Sequence, residues 1–514
     1  MLAVVLLLSC ARTHHSDLNH FKYLEYDIVM IQNLYQTKQA TVKDVVKAYL
    51  DRIETIDRGT GLNSIIAVNP DALIIADSLD CIPFDKRNGA LFGIPVLLKD
   101  NIDTHDKMPT TAGSLALKNS FPLKDSEVAR KLREAGAVII GKTNLSEWAN
   151  FRGANSTSGW SAVGGLTKNP YDLTRNTCGS SSGSGAAISA NLAVFAIGTE
   201  TDGSIVCPSS LNGIVGIKPT VGLISRSGIV PISYTQDTPG PMTRTVRDAA
   251  IALGTMVGVD PKDEKTVASA NHFETDYTRF LTLNGLKGKR FGYPKSMSNG
   301  NVKTDELFKK TLAFLTSQGA TVVETEDILD RQTGDNSFKL MIFEYKDGLN
   351  LYFESLGPNA PVKSVADLIE FNKNSAEELQ YFGQEYLVMA NETAGMKDPA
   401  YPETVRLALT GSRENGVDKI MKKYDLDAII SPTAVPAWKS DLVNGDCNVH
   451  VCSSPSAISG YPHITIPMGN IDGLPVGISF FAEAWSEGKL IEMAYTFEQL
   501  NPQRIVPEFK TETR

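Results

Sequence analysis

The chain has 514 residues, 42% hydrophobic and 21% charged, with 41 glycines and 25 prolines. That balance excludes a disordered, collagen-like or coiled-coil chain and allows a large buried core. The formal net charge of -9, with no extended Lys/Arg run, excludes broad nucleic-acid binding, which needs a basic face.

The chain opens on an apolar run, Leu2 to Leu8, followed by Ser9-Cys10. The run is far too short to span a bilayer. It fits the apolar region of an export signal, and Leu7-Leu8-Ser9-Cys10 resembles a bacterial lipobox, with a lipid anchor at Cys10. This predicts export to a bacterial cell envelope or periplasm; no Lys or Arg precedes the run, and a cytoplasmic chain with a buried or frayed N-terminus is the alternative. Residues 1–20 are therefore set apart from the folded domain.

Residues 28–57 read as helix, because Val42, Val45, Val46, Tyr49, Leu50 and Ile53 recur at helical spacing, with Thr41 as a cap. Gly93 to Leu98 is a short apolar strand ending in Lys99-Asp100. Asp125 or Ser126 can cap a helix running to Glu134 and stopped near Gly136; Ala137 to Ile140 follows as a buried strand. Residues 152–185, rich in Gly, Ser, Thr and Asn, read as a loop. A helix of small residues is expected over Ser184–Leu192, a strand over Ala193–Ile197 and a tight turn over Gly198–Ser204. The chain is more charged and helical from about 260 to 430, as in Thr304–Gln318, where Phe308, Leu312 and Leu315 make a stripe stopped by Gly319. Strands return at Ala428–Ile430, Ile464–Ile466 and Val476–Phe480. Alternating strands and helices predict an α/β fold, a mixed β-sheet covered by helices on both faces.

Chemistry concentrates in two stretches. Cys178-Gly179-Ser180-Ser181-Ser182-Gly183-Ser184-Gly185 runs into a helix, whose positive end faces the loop amides. That helix rises roughly 14 Å, and the following strand returns a similar length at about 3.3 Å per residue. Ser204 can thus lie beside Ser180 although 24 residues separate them. Before Ser204 stand Thr201, Asp202 and Gly203, and the glycine lets successive amides point inward to hold an oxyanion. A serine nucleophile needs a base. None of the seven histidines lies in this region. Lys99 ends an apolar strand, where desolvation favours the neutral amine. Asp100 could oppose this, but adjacent residues of a continuing strand point to opposite faces.

These stretches resemble the amidase signature family, nearest in motif to its peptide amidase-like members. The resemblance is carried by Gly93-Ile94-Pro95-Val96 through Lys99-Asp100-Asn101, Gly141-Lys142-Thr143-Asn144, the Ser180 loop, Gly198 to Ser204, Gly216-Ile217-Lys218-Pro219-Thr220 and Gly460-Tyr461-Pro462. It spans about residues 28–500. It implies the amidase signature fold over residues 21–514, with a helical cap at about 260–430. It also implies a Ser–Ser–Lys triad: Ser204 as nucleophile, Ser180 after a cis bond from Gly179 as relay, and Lys99 as base. Thr201, Asp202 and Gly203 match the oxyanion turn, and Ser181 is a supporting hydroxyl. No cofactor or metal is implied, and the partner is a small-molecule or peptide amide; a monomer or homodimer is expected. Cys178 and Asp202 stand where the family commonly has glycine, which bears on substrate choice.

Competing readings are weaker. Gly179-x-Ser181-x-Gly183 fits a nucleophile elbow, which requires a preceding strand and later Asp and His partners. Gly136 to Thr143 matches a phosphate loop in letters, but its central residues are strand-formers. Cys447, His450 and Cys452 lack a fourth ligand for a structural zinc, so a Cys447–Cys452 disulfide or free thiols are expected, and Cys207 is expected to be a packed thiol. The rival functions are the glutaminase component of a tRNA-dependent amidotransferase and a non-catalytic amide- or peptide-binding member.

Overall fold

The computed structural model describes residues 20–295, 300–447 and 450–511. The leader expected at Leu2–Leu8 and the lipid site at Cys10 lie outside them. In chain order the strands are β1 (Ile65–Val68), β2 (Pro95–Lys99), β3 (Val138–Thr143), β4 (Trp160–Ser161), β5 (Gly165–Leu166), β6 (Phe195–Glu200), β7 (Val215–Lys218), β8 (Thr238–Thr243), β9 (Arg290–Pro294), β10 (Thr321–Thr325), β11 (Ala428–Pro432), β12 (His463–Ile471) and β13 (Leu474–Phe481). Eleven of them form one mixed sheet in the order β1-β3-β2-β6-β8-β7-β12-β13-β11-β9-β10, while β4 and β5 pair separately. β2 lies parallel to β3 and β6, and β6 is antiparallel to β8. Helices pack against this sheet around one large apolar core. Among the described residues no helix is long and apolar enough to cross a membrane.

The helix expected over 28–57 is broken. Ile28–Gln36, capped by Asp27, ends before Lys38, whose φ of 59° is left-handed. Thr41 then starts Val42–Arg52, accepting from the Asp44 amide while the Asp44 carboxylate accepts from the Thr41 amide; a wider turn, Ile53–Arg58, follows. Ser126 caps Glu127–Glu134 as read, and Gly136 follows at φ +85°, where a Cβ would stand 2.8 Å from the Phe92 backbone.

The helix of small residues spans Ser182–Ser189, two positions earlier than expected at its start. Its residues are all buried. A Cβ at Gly183 would meet the carbonyl oxygens of Ser64 and Asn144 at 2.4 and 2.5 Å, so the helix lies directly on backbone. The following strand runs on to Glu200, because Gly198, Thr199 and Glu200 pair with Gly240, Pro239 and Thr238 of β8. The turn before Ser204 is thus shorter than Gly198–Ser204, and Thr199 belongs to the sheet.

Residues 260–430 divide. β9, the helix Val302–Ser317 and β10 extend the main sheet, with β9 and β10 parallel. The helices Arg331–Ser355, Val365–Lys373 and Glu385–Glu392 join Trp148 and Phe151 in a second apolar cluster. Arg152 pins this layer to the loop after β3. Fully buried, it donates to Glu147 at 2.5 Å, Glu378 at 3.1 Å and the carbonyls of Phe382 and Gly383 at 3.1 and 3.2 Å.

Candidate active site

Lys99 ends β2, an interior strand third from one edge of the sheet, and has no solvent exposure. Its Nζ donates to Ser180 Oγ at 2.7 Å, Thr199 Oγ1 at 2.9 Å and the Thr199 carbonyl at 3.2 Å. Burial pushes this amine down to about 7, against the opposing pull of Asp237 and Glu200. Asp100 is turned away: its carboxylate accepts from the Thr111 amide at 3.2 Å and the Thr111 hydroxyl, and burial raises it to about 6. The strand ends at Lys99, and the two side chains still part.

Ser180 follows a cis peptide bond from Gly179. Its carbonyl accepts from the Ser146 amide at 3.1 Å. A Cβ at Gly179 would stand 2.2 Å from Ser146 Oγ, so only glycine fits there. Ser181 Oγ donates to the Thr199 carbonyl at 3.1 Å and accepts from the Thr199 amide at 3.2 Å. The Ser181 amide donates to the Ser204 carbonyl at 3.1 Å. One serine thereby ties the Ser180 loop, the end of β6 and Ser204 together. It is preceded by a loop and not by a strand, unlike a nucleophile elbow.

Ser204, 8% exposed, opens with Gly179, Thr201, Asp202 and Gly203 onto a cavity of about 390 Å³. Gly203 takes φ +83°. Among the described residues, the amides of Thr201, Asp202, Gly203 and Ser204 donate no hydrogen bond within the protein, while their neighbours Ile205 and Val206 donate to Glu200 at 2.8 and 3.0 Å. Asp202 accepts from the hydroxyls of Ser453 and Ser454 at 2.6 and 2.8 Å. In place of glycine, it fastens the turn to the helix Ser454–Ser459.

One cysteine expectation is corrected: Cys207 is not a packed free thiol, and of the two alternatives for Cys447 and Cys452 the free thiols hold. Cys178 and Cys207 form a disulfide that joins the segment before Gly179 to the helix after Ser204, both ends lining the cavity. Cys447 and Cys452 are free thiols, the first exposed and at the cavity, the second buried. The pairing follows from the return of Ser204 to the Ser180 loop, which carries both cysteines into range. The remaining motifs lie off the cavity. Lys142 donates to the Ile102 carbonyl at 2.6 Å and Thr110 at 3.0 Å, inside β3 and not in a phosphate loop. Lys218 is buried near Glu200, and Gly460 ends a helix at φ +73°.

Sequence reasoning missed Thr199, Asn101, Ser146 and Asp237. Asn101 Nδ2 donates to Thr199 Oγ1 at 3.0 Å. Asp237 accepts from Thr201 Oγ1 at 2.5 Å and from the amides of Ile232 and Ser233 at 2.8 and 2.9 Å. Asn101 and Thr199 sit inside quoted motifs and were open to notice; Asp237 carries no local signal.

The amidase family model matches residues 44–491. A protein of Arabidopsis thaliana named as a probable amidase is 41% identical over 505 residues, covering 95% of this chain and 92% of that one. The solved peptide amidase of Stenotrophomonas maltophilia is 47% identical with a TM-score of 0.90, covering 95% of this chain and 99% of that one. A glutamyl-tRNA(Gln) amidotransferase component of Thermoanaerobacter pseudethanolicus is 33% identical over 491 residues, covering 93% and 97%. Matched along almost its whole length in sequence and in fold, the chain belongs to the amidase family, the amidase signature hydrolases of amide C–N bonds.

Proposed function

We propose that this chain hydrolyses carboxylic or peptide amides through an acyl-enzyme on Ser204, with Ser180 as relay and Lys99 as base. The observation that carries the reading is the 2.7 Å contact from a fully buried Lys99 amine to Ser180 Oγ. A buried amine near pKa 7 is neutral often enough to take a proton at neutral pH. Ser204 Oγ attacks the amide carbonyl and passes its proton to Ser180 as Ser180 passes its own to Lys99. The amides from Thr201 to Ser204 hold the oxyanion, worth several kcal/mol in such sites, on the order of 3. The proton returns through Ser180 to the departing nitrogen as the C–N bond breaks. Water then repeats the sequence on the ester and releases the acid. Likeness to a peptide amidase supports peptide amides as substrates.

The test is ammonia or amine release from a panel of simple and peptide amides, with Ser204→Ala and Lys99→Ala beside the parent. Wild-type rates in both variants would remove the mechanism. A fluorophosphonate probe that fails to label Ser204 would favour a non-catalytic binding role. The 33% likeness to a glutamyl-tRNA(Gln) amidotransferase component supports a second reading as a glutaminase feeding a partner. Turnover of simple amides by the isolated chain, without tRNA or partner, decides against it. For the compartment, we propose export: a disulfide beside the site suits an oxidising environment. The lipid anchor is tested by mass spectrometry of the expressed full chain.

A further inference from the structure

Among the described residues, the cavity over Ser204 is lined by two acidic side chains, Asp202 and Asp446, and by no Lys, Arg or His. Its other walls include Phe151, Ile232, Met341 and Trp438. The hydrogen-bond partners of Asp446 among the described residues are donors. Its oxygens accept from the Ser158 amide at 3.1 and 3.3 Å, from Asn176 Nδ2 at 3.4 Å and from Trp438 Nε1 at 3.3 Å. These N–H groups have no lone pair to offer in return, so each of them favours the ionised carboxylate. Asp202 accepts from two hydroxyls. Burial raises both carboxyls above the usual range, and these donors oppose that rise without cancelling it.

An amide is neutral, whereas its hydrolysis product ionises with a pKa near 4 and leaves a carboxylate in the same cavity at neutral pH. In a partly enclosed cavity, like charges a few ångströms apart repel by several-fold more than in open water. We propose that Asp446, together with Asp202, makes this cavity anion-excluding: it accepts neutral or cationic amides, rejects acyl groups that carry a carboxylate, and expels its own acid product. Asp446 acts as a specificity-determining residue. The inference rests on the amidase reading above and deepens it, because the same charge pattern disfavours free glutamine, whose α-carboxylate finds no cation there.

The experiment compares kcat/KM for the α-amides of N-acetyl-leucine, N-acetyl-lysine and N-acetyl-glutamate, and inhibition by N-acetyl-leucine itself. The parent enzyme is expected to favour the leucine and lysine amides over the glutamate amide by at least about tenfold, and to be inhibited weakly by the acid. In Asp446→Asn, each rate is referred to the leucine amide in the same variant. That ratio is expected to close by about tenfold, and the acid to inhibit more tightly. A residue that only braces Ser158, Asn176 and Trp438 would lower all rates and leave the ratio unmoved. If the variant does not fold, the parent ratio is measured in low salt and at about 1 M salt, where screening should shrink it. Equal rates on leucine and glutamate amides, with Ser204→Ala inactive, overturn this inference and leave the amidase reading standing. No hydrolysis of any of the three removes both.

Discussion

Thr199 Oγ1 accepts a hydrogen bond from Lys99 Nζ at 2.9 Å, joining the ends of two neighbouring parallel strands. Asn101 donates to the same oxygen at 3.0 Å, so the hydroxyl is held with its lone pairs toward the amine. In Thr199→Val that acceptor is lost. One hydrogen bond is worth about 1 to 1.5 kcal/mol, so kcat is expected to fall roughly tenfold. The ammonium form loses more than the neutral form, so the acid limb should move to lower pH. A pH–rate profile of the variant checks this; an unmoved limb assigns Thr199 to packing alone.

The pH dependence of the parent follows from Lys99. Its pKa is lowered by burial to about 7, so the amine is neutral above that value and protonated below it, and the proposed base role carries the same dependence. Activity is expected to rise from acid pH with a midpoint near 7 and to stay level on the alkaline side of it. Asp237 is the first opposing charge on Lys99. Asp237→Asn should therefore lower the lysine further and carry the midpoint to lower pH. A profile that stays flat down to about pH 5 would exclude a lysine base.

The Cys178–Cys207 disulfide closes a loop with a sequence separation of 29. In the chain-entropy account such a loop is worth about 3.6 kcal/mol. Cys178→Ser with Cys207→Ser, or reduction of the parent, is expected to lower the denaturant midpoint accordingly. Since both cysteines line the cavity beside Gly179 and Ser204, turnover should fall as well. Chemical denaturation with and without reductant, read beside amide release, measures the two effects.

Arg152 offers a stability test at the join between the helices of the second apolar cluster and the loop after β3. It is buried against Glu147 and Glu378, both also buried, and its guanidinium lies 4.2 Å from the Phe382 ring centre. Arg152→Ala strands two carboxylates in the interior, which costs about 3 to 5 kcal/mol. Thermal unfolding should show a large drop in Tm. A drop no larger than that of a surface Arg→Ala variant, such as Arg331→Ala, would contradict this.

Features decided within a few residues were legible in the sequence. Thr41 and Ser126 cap helices because each side chain reaches an amide three residues on. The strand at Ala428 and the stripe of Phe308 and Leu315 followed from apolar spacing, and both are buried. Where a distant neighbour decides, the reading failed. Lys38 breaks a helical pattern that looks continuous. β6 runs to Glu200 because β8, some forty residues on, pairs with it. The strands β9 and β10 sit in a stretch whose charge suggested helices alone.

The sequence by itself determined the family and the order of Lys99, Ser180 and Ser204, since spaced motifs of glycine, serine and lysine persist whatever packs around them. Only the tertiary structure decided that Lys99 lies without exposure against a serine 81 positions away. It also decided that Cys178 pairs with Cys207, and that Asp202 grips Ser453 and Ser454. The physical reason is range. Caps, turns and strand faces depend on backbone geometry over a few residues. A lysine's proton affinity, a disulfide's partner and a cavity's charge depend on which distant segments exclude water together.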